Sequence, residues 1–262
     1  MRLIDTHCHI HDSEFYPEIR EEVYEQSIDA NVTMLCVGTD IRSSREAVEF
    51  CDMHEQSYAI VGIHPHDAKD ADVTEIRTLV NEYLRGVKRE KRRTIVGIGE
   101  IGLDYFYDHS PREWQIEALR EQLAIAKEFD LPVSFHVRDA FSDFWPIFDD
   151  FPGIRGVLHS FTDSQENCDE AIRRGLYIGV NGISTFTKST EQQGLFATLP
   201  LENILLETDA PFLTPVPFRG KVNIPAYVGR VAEHQAGLKG CSVADVARIT
   251  TDNATKLFGI IL

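Results

Sequence analysis

The chain has 262 residues, of which 43% are hydrophobic and 26% are charged, a composition typical of globular proteins. It carries 26 Lys and Arg residues against 42 Asp and Glu residues, and the net charge of −16 repels polyanions, so nucleic-acid binding would require a local basic patch or bound metal. The sequence shows no signal-peptide pattern, no apolar run of the roughly 18 residues that a membrane helix needs, and five cysteines without a CxxC pair, so we expect a cytoplasmic protein without a disulfide framework.

Eight short apolar segments rich in β-branched residues predict β-strands. They are Leu3–Ile4, Val32–Val37, Ala59–Val61, Ile95–Ile98, Val133–Phe135, Gly156–Leu158, Leu176–Val180 and Ile204–Leu206. Longer segments with helical periodicity lie between many of them. These include Phe15–Ala30, Ser43–Met53, Val73–Val87, Pro111–Phe129, Phe141–Phe148 and Ser164–Arg174.

Strands that alternate with helices predict βαβ units and a parallel sheet, which is the α/β fold class. About eight such units in 262 residues favour a single (β/α)8 barrel, or TIM barrel, over an open sheet. No break in the pattern indicates a second domain, so we expect one domain over residues 1–262. Ser110-Pro111-x-Glu113 further predicts a helix start with Ser110 as the N-cap.

The first polar cluster follows the first predicted strand, in the segment Asp5-Thr6-His7-Cys8-His9. Residues i and i+2 of a strand point the same way, so His7 and His9 can face one centre while Cys8 points into the packing. The pattern indicates a metal site, with two surface or core histidines as the alternative.

The next two clusters follow the third and fourth predicted strands. His64 and His66 lie in Gly62-Ile63-His64-Pro65-His66, where they would contact substrate, support a ligand or shape the loop. Glu100 comes directly after a strand core, where a carboxylate can bridge two cations. Asp104 and Tyr105 would shape the pocket, and a turn or helix cap is the alternative for Asp104.

Polar residues also follow the fifth, sixth and eighth predicted strands. His136 and Arg138 share a face, and the planar guanidinium of Arg138 suits an anionic substrate group or a carboxylate. His159 follows the sixth strand. Asp209 follows the eighth, where it would hold metal and water, and Glu207 would lie deeper and orient a ligand histidine.

Six of these residues fall at predicted strand ends, which meet at one mouth of a barrel. They are His7, His9, Glu100, His136, His159 and Asp209. Nitrogen and oxygen ligands without thiolate suit two divalent cations rather than a closed structural zinc site. Beyond the eighth strand, Arg219 and Lys221 would hold a phosphate beside the metals, with solvated loop charges as the alternative.

Over essentially its whole length the chain resembles the TatD family of metal-dependent deoxyribonucleases, within the amidohydrolase-like barrel superfamily. The clusters above match the family's motifs in order, and the matches extend to Glu207-Thr208-Asp209-Ala210-Pro211-Phe212-Leu213-Thr214-Pro215, Arg219-Gly220-Lys221 and Asn253-Ala254-Thr255-Lys256-Leu257-Phe258. The resemblance implies that the six residues are metal ligands, that Glu100 bridges, and that Mg²⁺ or Mn²⁺ is used, with Zn²⁺ also able to bind. The chain departs from the family after Lys221, where Val222 and Ile224 flank Asn223 in place of charged residues.

We therefore expect two-metal hydrolysis of a DNA or nucleotide phosphodiester, without a membrane or an obligatory protein partner. Asp209 and Glu100 are the expected catalytic residues, and the expected substrate contacts are His64, His66, Arg138, Arg219 and Lys221. An amidohydrolase or lactonase acting on a small cyclic substrate is the first alternative. It is less favoured because Glu100 takes the place where many such enzymes use a carboxylated lysine. A non-catalytic binding protein on the same barrel is the second alternative.

Overall fold

The computed structural model describes residues 1–69, 71–85, 94–107 and 109–261. The chain divides into two compact units, one formed by Met1–Cys36 and Ser160–Leu262 and the other by Val37–His159. The prediction of a single domain over residues 1–262 stays a prediction.

Eight strands form one sheet in the order of the sequence, and the paired strands run parallel. They are β1 (Leu3–Cys8), β2 (Val32–Val37), β3 (Ser57–Val61), β4 (Ile95–Asp104), β5 (Val133–Arg138), β6 (Gly156–Leu158), β7 (Tyr177–Val180) and β8 (Ile204–Leu206). A parallel bridge joins Cys8, at the end of β1, to Ala210 beyond β8, so the last strand returns to the first. Strand–helix alternation with this return is the (β/α)8 barrel that the sequence predicts.

Helices connect the strands and continue beyond the last of them. They are α1 (Arg20–Asp29), α2 (Ile41–Met53), α3 (Val73–Leu84), α4 (Arg112–Phe129), α5 (Phe141–Asp149), α6 (Gln165–Arg173), α7 (Ile183–Phe186), α8 (Thr190–Thr198), α9 (Val228–Lys239) and α10 (Val243–Phe258). Short 3-10 helices span Pro65–Asp67, Leu201–Asn203 and Pro225–Tyr227. Within the described ranges, no helix combines the length and the apolar character that a membrane crossing requires.

The strands form the core because a parallel sheet in this fold class is covered on both faces. Every residue of β1, β2, β3 and β4 is buried. β5 is buried through Phe135 and becomes progressively exposed from His136 to Arg138. The carboxyl end of β5 therefore opens toward solvent, where polar side chains can act on a substrate.

The fourth strand extends six residues further than the apolar pattern predicts. It runs to Asp104, so Glu100 lies within the strand and not after it. The register against β5 shifts between Ile98 and Ile101, at the position of Glu100. Gly102 pairs with His136, and a Cβ there would lie 1.7 Å from the His136 carbonyl oxygen, so only glycine lets these two strands approach.

The prediction that Ser110 caps the fourth helix is wrong. α4 begins at Arg112 with Pro111 as its N-cap, and no side chain accepts a hydrogen bond there. The Ser110 hydroxyl instead donates to the His66 carbonyl at 2.7 Å and accepts from the Lys69 backbone N–H at 3.0 Å. Its hydroxyl finds these partners in the loop after β3, so Ser110 ties that loop to the start of α4.

Candidate metal centre

In the first unit, two histidines converge on one carboxylate oxygen. Nε2 of His9 lies 3.4 Å from Oδ1 of Asp209, and Nε2 of His7 lies 4.0 Å from the same atom. The two ring centroids are 5.1 Å apart, and both histidines are buried. The prediction that Cys8 points away into packing is confirmed, since its thiol is buried and donates to the Leu35 carbonyl at 3.5 Å.

Backbone hydrogen bonds fix Asp209 beside the histidines. Its N–H donates to the His7 carbonyl at 2.8 Å, and the His9 N–H donates to the Ala210 carbonyl at 2.8 Å. Asp209 has a φ of 58°, in the left-handed region where a residue other than glycine needs support from its surroundings.

Asn223, a residue without an assigned role in the sequence analysis, provides part of that support. Its buried amide donates to the carbonyls of Thr208 and Phe212, at 3.0 and 2.6 Å, so it spans the segment that carries Asp209. Its own carbonyl accepts from the Tyr16 hydroxyl at 2.8 Å. In the sequence, Asn223-Ile224-Pro225 indicates only a turn. Such a pattern does not predict which carbonyls the asparagine amide will contact.

Asp5 joins the first strand to the segment after the last strand. Its carboxylate accepts from the Thr208 N–H at 2.8 Å, from the Thr208 hydroxyl at 2.5 Å and from the His7 N–H at 3.3 Å. Burial raises the pKa of Asp5, and these hydrogen bonds oppose that rise. Asp5 therefore acts as a fixed acceptor that aligns β1 with the Asp209 segment.

In the second unit, three histidines face one oxygen of Glu100. Nδ1 of His136 lies 2.9 Å from Glu100 Oε1, and the Nε2 atoms of His64 and His159 lie 3.5 and 3.7 Å from it. Single ligand atoms of His64, Glu100 and His136 all lie within 4.8 Å of one another. Glu100 is thus the focus of this cluster.

Asp104 orients His136 from the other side of the ring. Nε2 of His136 donates to Asp104 Oδ2 at 2.9 Å, and Nε2 of His66 donates to the same oxygen at 3.0 Å. The other carboxylate oxygen accepts the backbone N–H groups of Phe106 and Tyr107, both at 3.0 Å. Asp104 therefore caps a turn, as the alternative interpretation has it, and it also contacts His136.

The charges in this cluster favour an ionised carboxylate facing an imidazole. Burial raises the pKa of Asp104, but hydrogen bonds from His136, Tyr107 and His66 outweigh it and hold that pKa well below its usual range. For His136, burial lowers the pKa, but the hydrogen bonds that its ring donates to Asp104 and Glu100 outweigh burial and raise the pKa. Because Nε2–H donates to Asp104, Nδ1 is the atom that faces Glu100. There it presents either a proton to the carboxylate or a lone pair to a cation.

His64 has a different hydrogen-bonding pattern. Burial lowers the pKa of His64 to about 4, although Glu100 acts in the opposite direction, so the ring is neutral at pH 7. Its Nδ1 accepts from the His66 backbone N–H at 3.2 Å, which leaves the proton on Nε2, the atom that faces Glu100. A donor at this position suits a carboxylate or phosphate oxygen better than a metal ion.

The predicted cationic substrate contacts are exposed, and two of them are stacked on aromatic rings. The Arg138 guanidinium lies 3.9 Å from the Phe106 ring centroid. The Arg219 guanidinium lies 3.8 Å from the Phe186 centroid and donates to the Thr214 carbonyl at 2.8 Å. Lys221 is exposed at the surface of the first unit, as is Arg219. Their contact with phosphate stays a prediction.

Glu207 is buried in the first unit, as its position two residues before Asp209 suggests. Its Oε1 accepts from the Ser160 N–H at 2.7 Å, and Ser160 directly follows His159 in the sequence. A Cβ on Gly179 would lie 2.6 Å from Glu207 Oε2, so glycine there leaves room for the carboxylate. Glu207 thus fixes the backbone after His159.

The donor atoms of both clusters fit divalent cations. Each cluster combines imidazole nitrogens with a carboxylate oxygen, without thiolate, which suits Mn²⁺ and Zn²⁺ and, through the carboxylates, Mg²⁺. An imidazole held by an outer carboxylate, as His136 is by Asp104, is the usual arrangement around a metal-binding histidine.

Known proteins resemble this chain over nearly its whole length. The sequence profile of the family described as TatD related DNase matches residues 4–259. The chain is 37% identical over 261 residues to the uncharacterized metal-dependent hydrolase YabD of Bacillus subtilis (strain 168), covering 98% of this chain and 99% of the relative. It is 31% identical over 268 residues to the 3'-5' ssDNA/RNA exonuclease TatD of Shigella flexneri serotype 5b, covering 98% of this chain and 99% of that one.

A solved structure confirms the predicted barrel. The crystal structure of YJJV, a TatD homologue from Escherichia coli k12, superposes with a TM-score of 0.87 at 28% sequence identity, covering 99% of each chain. The chain therefore shares the (β/α)8 fold of the TatD proteins, with its helices and strands in the same order over nearly their full length.

Proposed function

We propose, because the chain belongs to the family of TatD related DNases, that it is a metal-dependent deoxyribonuclease that hydrolyses phosphodiester bonds from a strand end. The observation that carries the proposal is the cluster around Glu100, where one carboxylate oxygen faces three imidazoles and Asp104 orients His136. The Shigella relative, a 3'-5' ssDNA/RNA exonuclease, supports the choice of a nucleic-acid strand as substrate. We propose the cytoplasm as the location.

Two divalent cations, Mg²⁺ or Mn²⁺ with Zn²⁺ as the other candidate, are the proposed cofactors. The six ligands predicted from the sequence would hold them, and both ions would share Glu100. These ligands are His7, His9, Glu100, His136, His159 and Asp209. When bound, such cations lower the pKa of a water toward neutrality and neutralise charge on phosphate oxygens. Glu100 is catalytic in this proposal because its carboxylate, which three imidazoles face, would hold a cation in the second unit.

Asp209 is the proposed general base. Its carboxylate is the one toward which His7 and His9 converge, and its backbone is held by His7 on one side and by Phe212 on the other, the latter donating to the Asp209 carbonyl at 2.8 Å. A carboxylate held in this way would accept the proton of the attacking water without having to reorganise.

The remaining residues would bind the phosphate. His64 would donate from Nε2 to a phosphate oxygen, and His66 would act beside it through Asp104. Arg138, Arg219 and Lys221 would neutralise charge that develops on the phosphate oxygens in the transition state. These contacts also offset the repulsion between a polyanion and a chain with a net charge of −16.

Cleavage of a 5′-labelled single-stranded DNA oligonucleotide by metal-stripped protein tests the function. We expect a product ladder only when Mg²⁺, Mn²⁺ or Zn²⁺ is added, and none from Asp209→Asn with the same fold by circular dichroism. If protein with bound metal ions leaves the oligonucleotide intact, the proposed function is wrong, and small phosphoesters followed by cyclic amides become the substrates to test. Turnover of none of these would favour a binding protein.

A further inference from the structure

The loop after β4 exposes two aromatic rings next to the Glu100 cluster. Phe106 is 54% exposed and Tyr107 is 51% exposed, although rings of this size are normally covered. The backbone N–H groups of both residues donate to Asp104, the carboxylate that orients His136. The backbone that carries the rings is therefore held by the same carboxylate that orients His136.

Arg138 lies against both rings. Its guanidinium carbon is 3.9 Å from the Phe106 centroid and 4.8 Å from the Tyr107 centroid, and its backbone pairs with Asp104 across β4 and β5. Arg138 is exposed and forms no ion pair with any residue in the described ranges. A guanidinium that stacks on rings keeps its in-plane N–H donors available for an anion such as phosphate.

Tyr107 continues the aromatic surface toward the cluster. Its ring is parallel to that of His109, with an interplanar angle of 4° and centroids 5.7 Å apart. It is nearly perpendicular to the ring of His66, at a centroid distance of 5.5 Å. His66 in turn donates to Asp104. An unbroken series of contacts within one unit thus leads from Glu100 through His136, Asp104 and His66 to the exposed rings.

We propose that Phe106 and Tyr107 form a stacking subsite for an unpaired nucleobase of a single strand, and that Arg138 binds the adjoining phosphate. The proposal rests on the proposed function and names the part of the substrate that this surface recognises. Exposed aromatic rings beside a cation that forms no ion pair within the described ranges match the two parts of a nucleotide, and bases inside a duplex have no free face to stack on them. Because the net charge of −16 opposes binding of a polyanion, stacking would supply affinity that does not depend on charge.

Oligonucleotides that lack one base test the subsite directly. Binding to the metal-loaded protein is measured by fluorescence anisotropy, with single-stranded DNA whose linkages are phosphorothioates that resist cleavage. One oligonucleotide has all its bases, and two others have an abasic residue at the 3′ end or at the next position. For the wild type, we expect at least one abasic oligonucleotide to bind about tenfold more weakly, while Phe106→Leu and Tyr107→Leu lose most of that difference.

The phosphate contact has a separate readout. Arg138→Gln should lower the slope of log Kd against log salt concentration by about 0.7, the value for one phosphate contact on a single strand. Arg120→Gln removes the same charge from an exposed side chain on α4, and Trp114→Leu removes another partly exposed ring of the unit. Both control variants should behave as the wild type does.

The possible outcomes separate the subsite from the function. If the wild type cleaves DNA but binds intact and abasic oligonucleotides equally, the stacking subsite does not exist while the proposed function stands. If the wild type and both ring variants show the same difference in Kd between intact and abasic oligonucleotides, the stacking subsite is likewise overturned. If the wild type shows no measurable binding to the intact oligonucleotide, the subsite is overturned, and absence of cleavage with every metal then overturns the function too.

Discussion

His136 and Asp104 are joined by a hydrogen bond of 2.9 Å from Nε2 to Oδ2. Because Asp104 also accepts two backbone N–H groups and its pKa is held low, its carboxylate is a fixed, ionised acceptor. The opposite ring atom, Nδ1, consequently points at Glu100. The cluster therefore depends on an acidic residue that would not itself bind the metal.

Asp104→Asn should weaken metal binding without unfolding the chain. The neutral asparagine amide no longer offers His136 and the two backbone N–H groups an anionic acceptor, so the imidazole loses its fixed orientation. Mutation of an outer partner of this kind lowers metal affinity by about 10–100-fold. Isothermal titration of Mn²⁺ into metal-stripped protein measures the change. Asp143→Asn, which alters a carboxylate that accepts from the Tyr105 hydroxyl, is the matched control. Equal Mn²⁺ affinity in the wild type and Asp104→Asn would show that Asp104 has no orienting role.

Asn223→Ala should lower kcat as well as stability. It leaves the Thr208 and Phe212 carbonyls without their amide donor, which costs about 1–3 kcal/mol in free energy of unfolding, and it releases the segment that holds Asp209. Asn253 offers a matched comparison, because its amide also spans two carbonyls, those of Leu201 and Ile204, at the other end of β8.

Thermal melts and steady-state kinetics below both melting temperatures distinguish the two asparagines. We expect Asn253→Ala to lose stability and to keep its kcat, whereas Asn223→Ala loses both. Similar kcat values in the two variants would mean that Asn223 supports the fold alone.

Gly102→Ala should be among the most destabilising substitutions that add a single methyl group to the chain. The new Cβ would lie 1.7 Å from the His136 carbonyl oxygen, at a φ of 154° that side chains rarely adopt. Gly194→Ala on α8 has no atom within 4 Å of its Cβ and should stabilise the helix by about 0.5–1 kcal/mol. Urea unfolding of the two variants measures these opposite effects, and a Gly102→Ala protein as stable as the wild type would exclude the close strand approach.

Removal of divalent cations should lower the melting temperature. A ligand that binds only the folded chain stabilises it by about 2.7 kcal/mol at a concentration 100 times its Kd. Scanning calorimetry with EDTA, and again after Mn²⁺ is restored, measures the shift. An identical melting temperature with EDTA and with restored Mn²⁺ would indicate that the folded chain does not form the metal sites.

The sequence predicted the barrel and the positions of the polar clusters, because strand periodicity and strand order are local properties of the chain. The alternation of His7, Cys8 and His9 correctly placed the two imidazoles on one side and the thiol on the other. The apolar pattern ended β4 too early, since Glu100 and Asp104 are polar residues that the strand nevertheless buries.

The hydrogen-bond partners of individual polar side chains could not be predicted from the sequence. Ser110 has the residues around it that a helix cap needs, yet its hydroxyl binds a loop about 40 residues away in the sequence. Asn223 and Asp104 likewise act through carbonyls and imidazoles that only the folded chain brings near them. Local propensity carries no information on such long-range hydrogen bonds.

Metal content measured by inductively coupled plasma mass spectrometry, after loading with Mn²⁺ and removal of unbound ions, tests the central claim most directly. Two ions per chain are predicted for the wild type, and fewer for His9→Ala and for His136→Ala, which remove a ligand from the first and the second cluster. Wild-type protein that retains no Mn²⁺, or a His136→Ala protein that retains as much as the wild type, would contradict the assignment of these clusters as the metal centre.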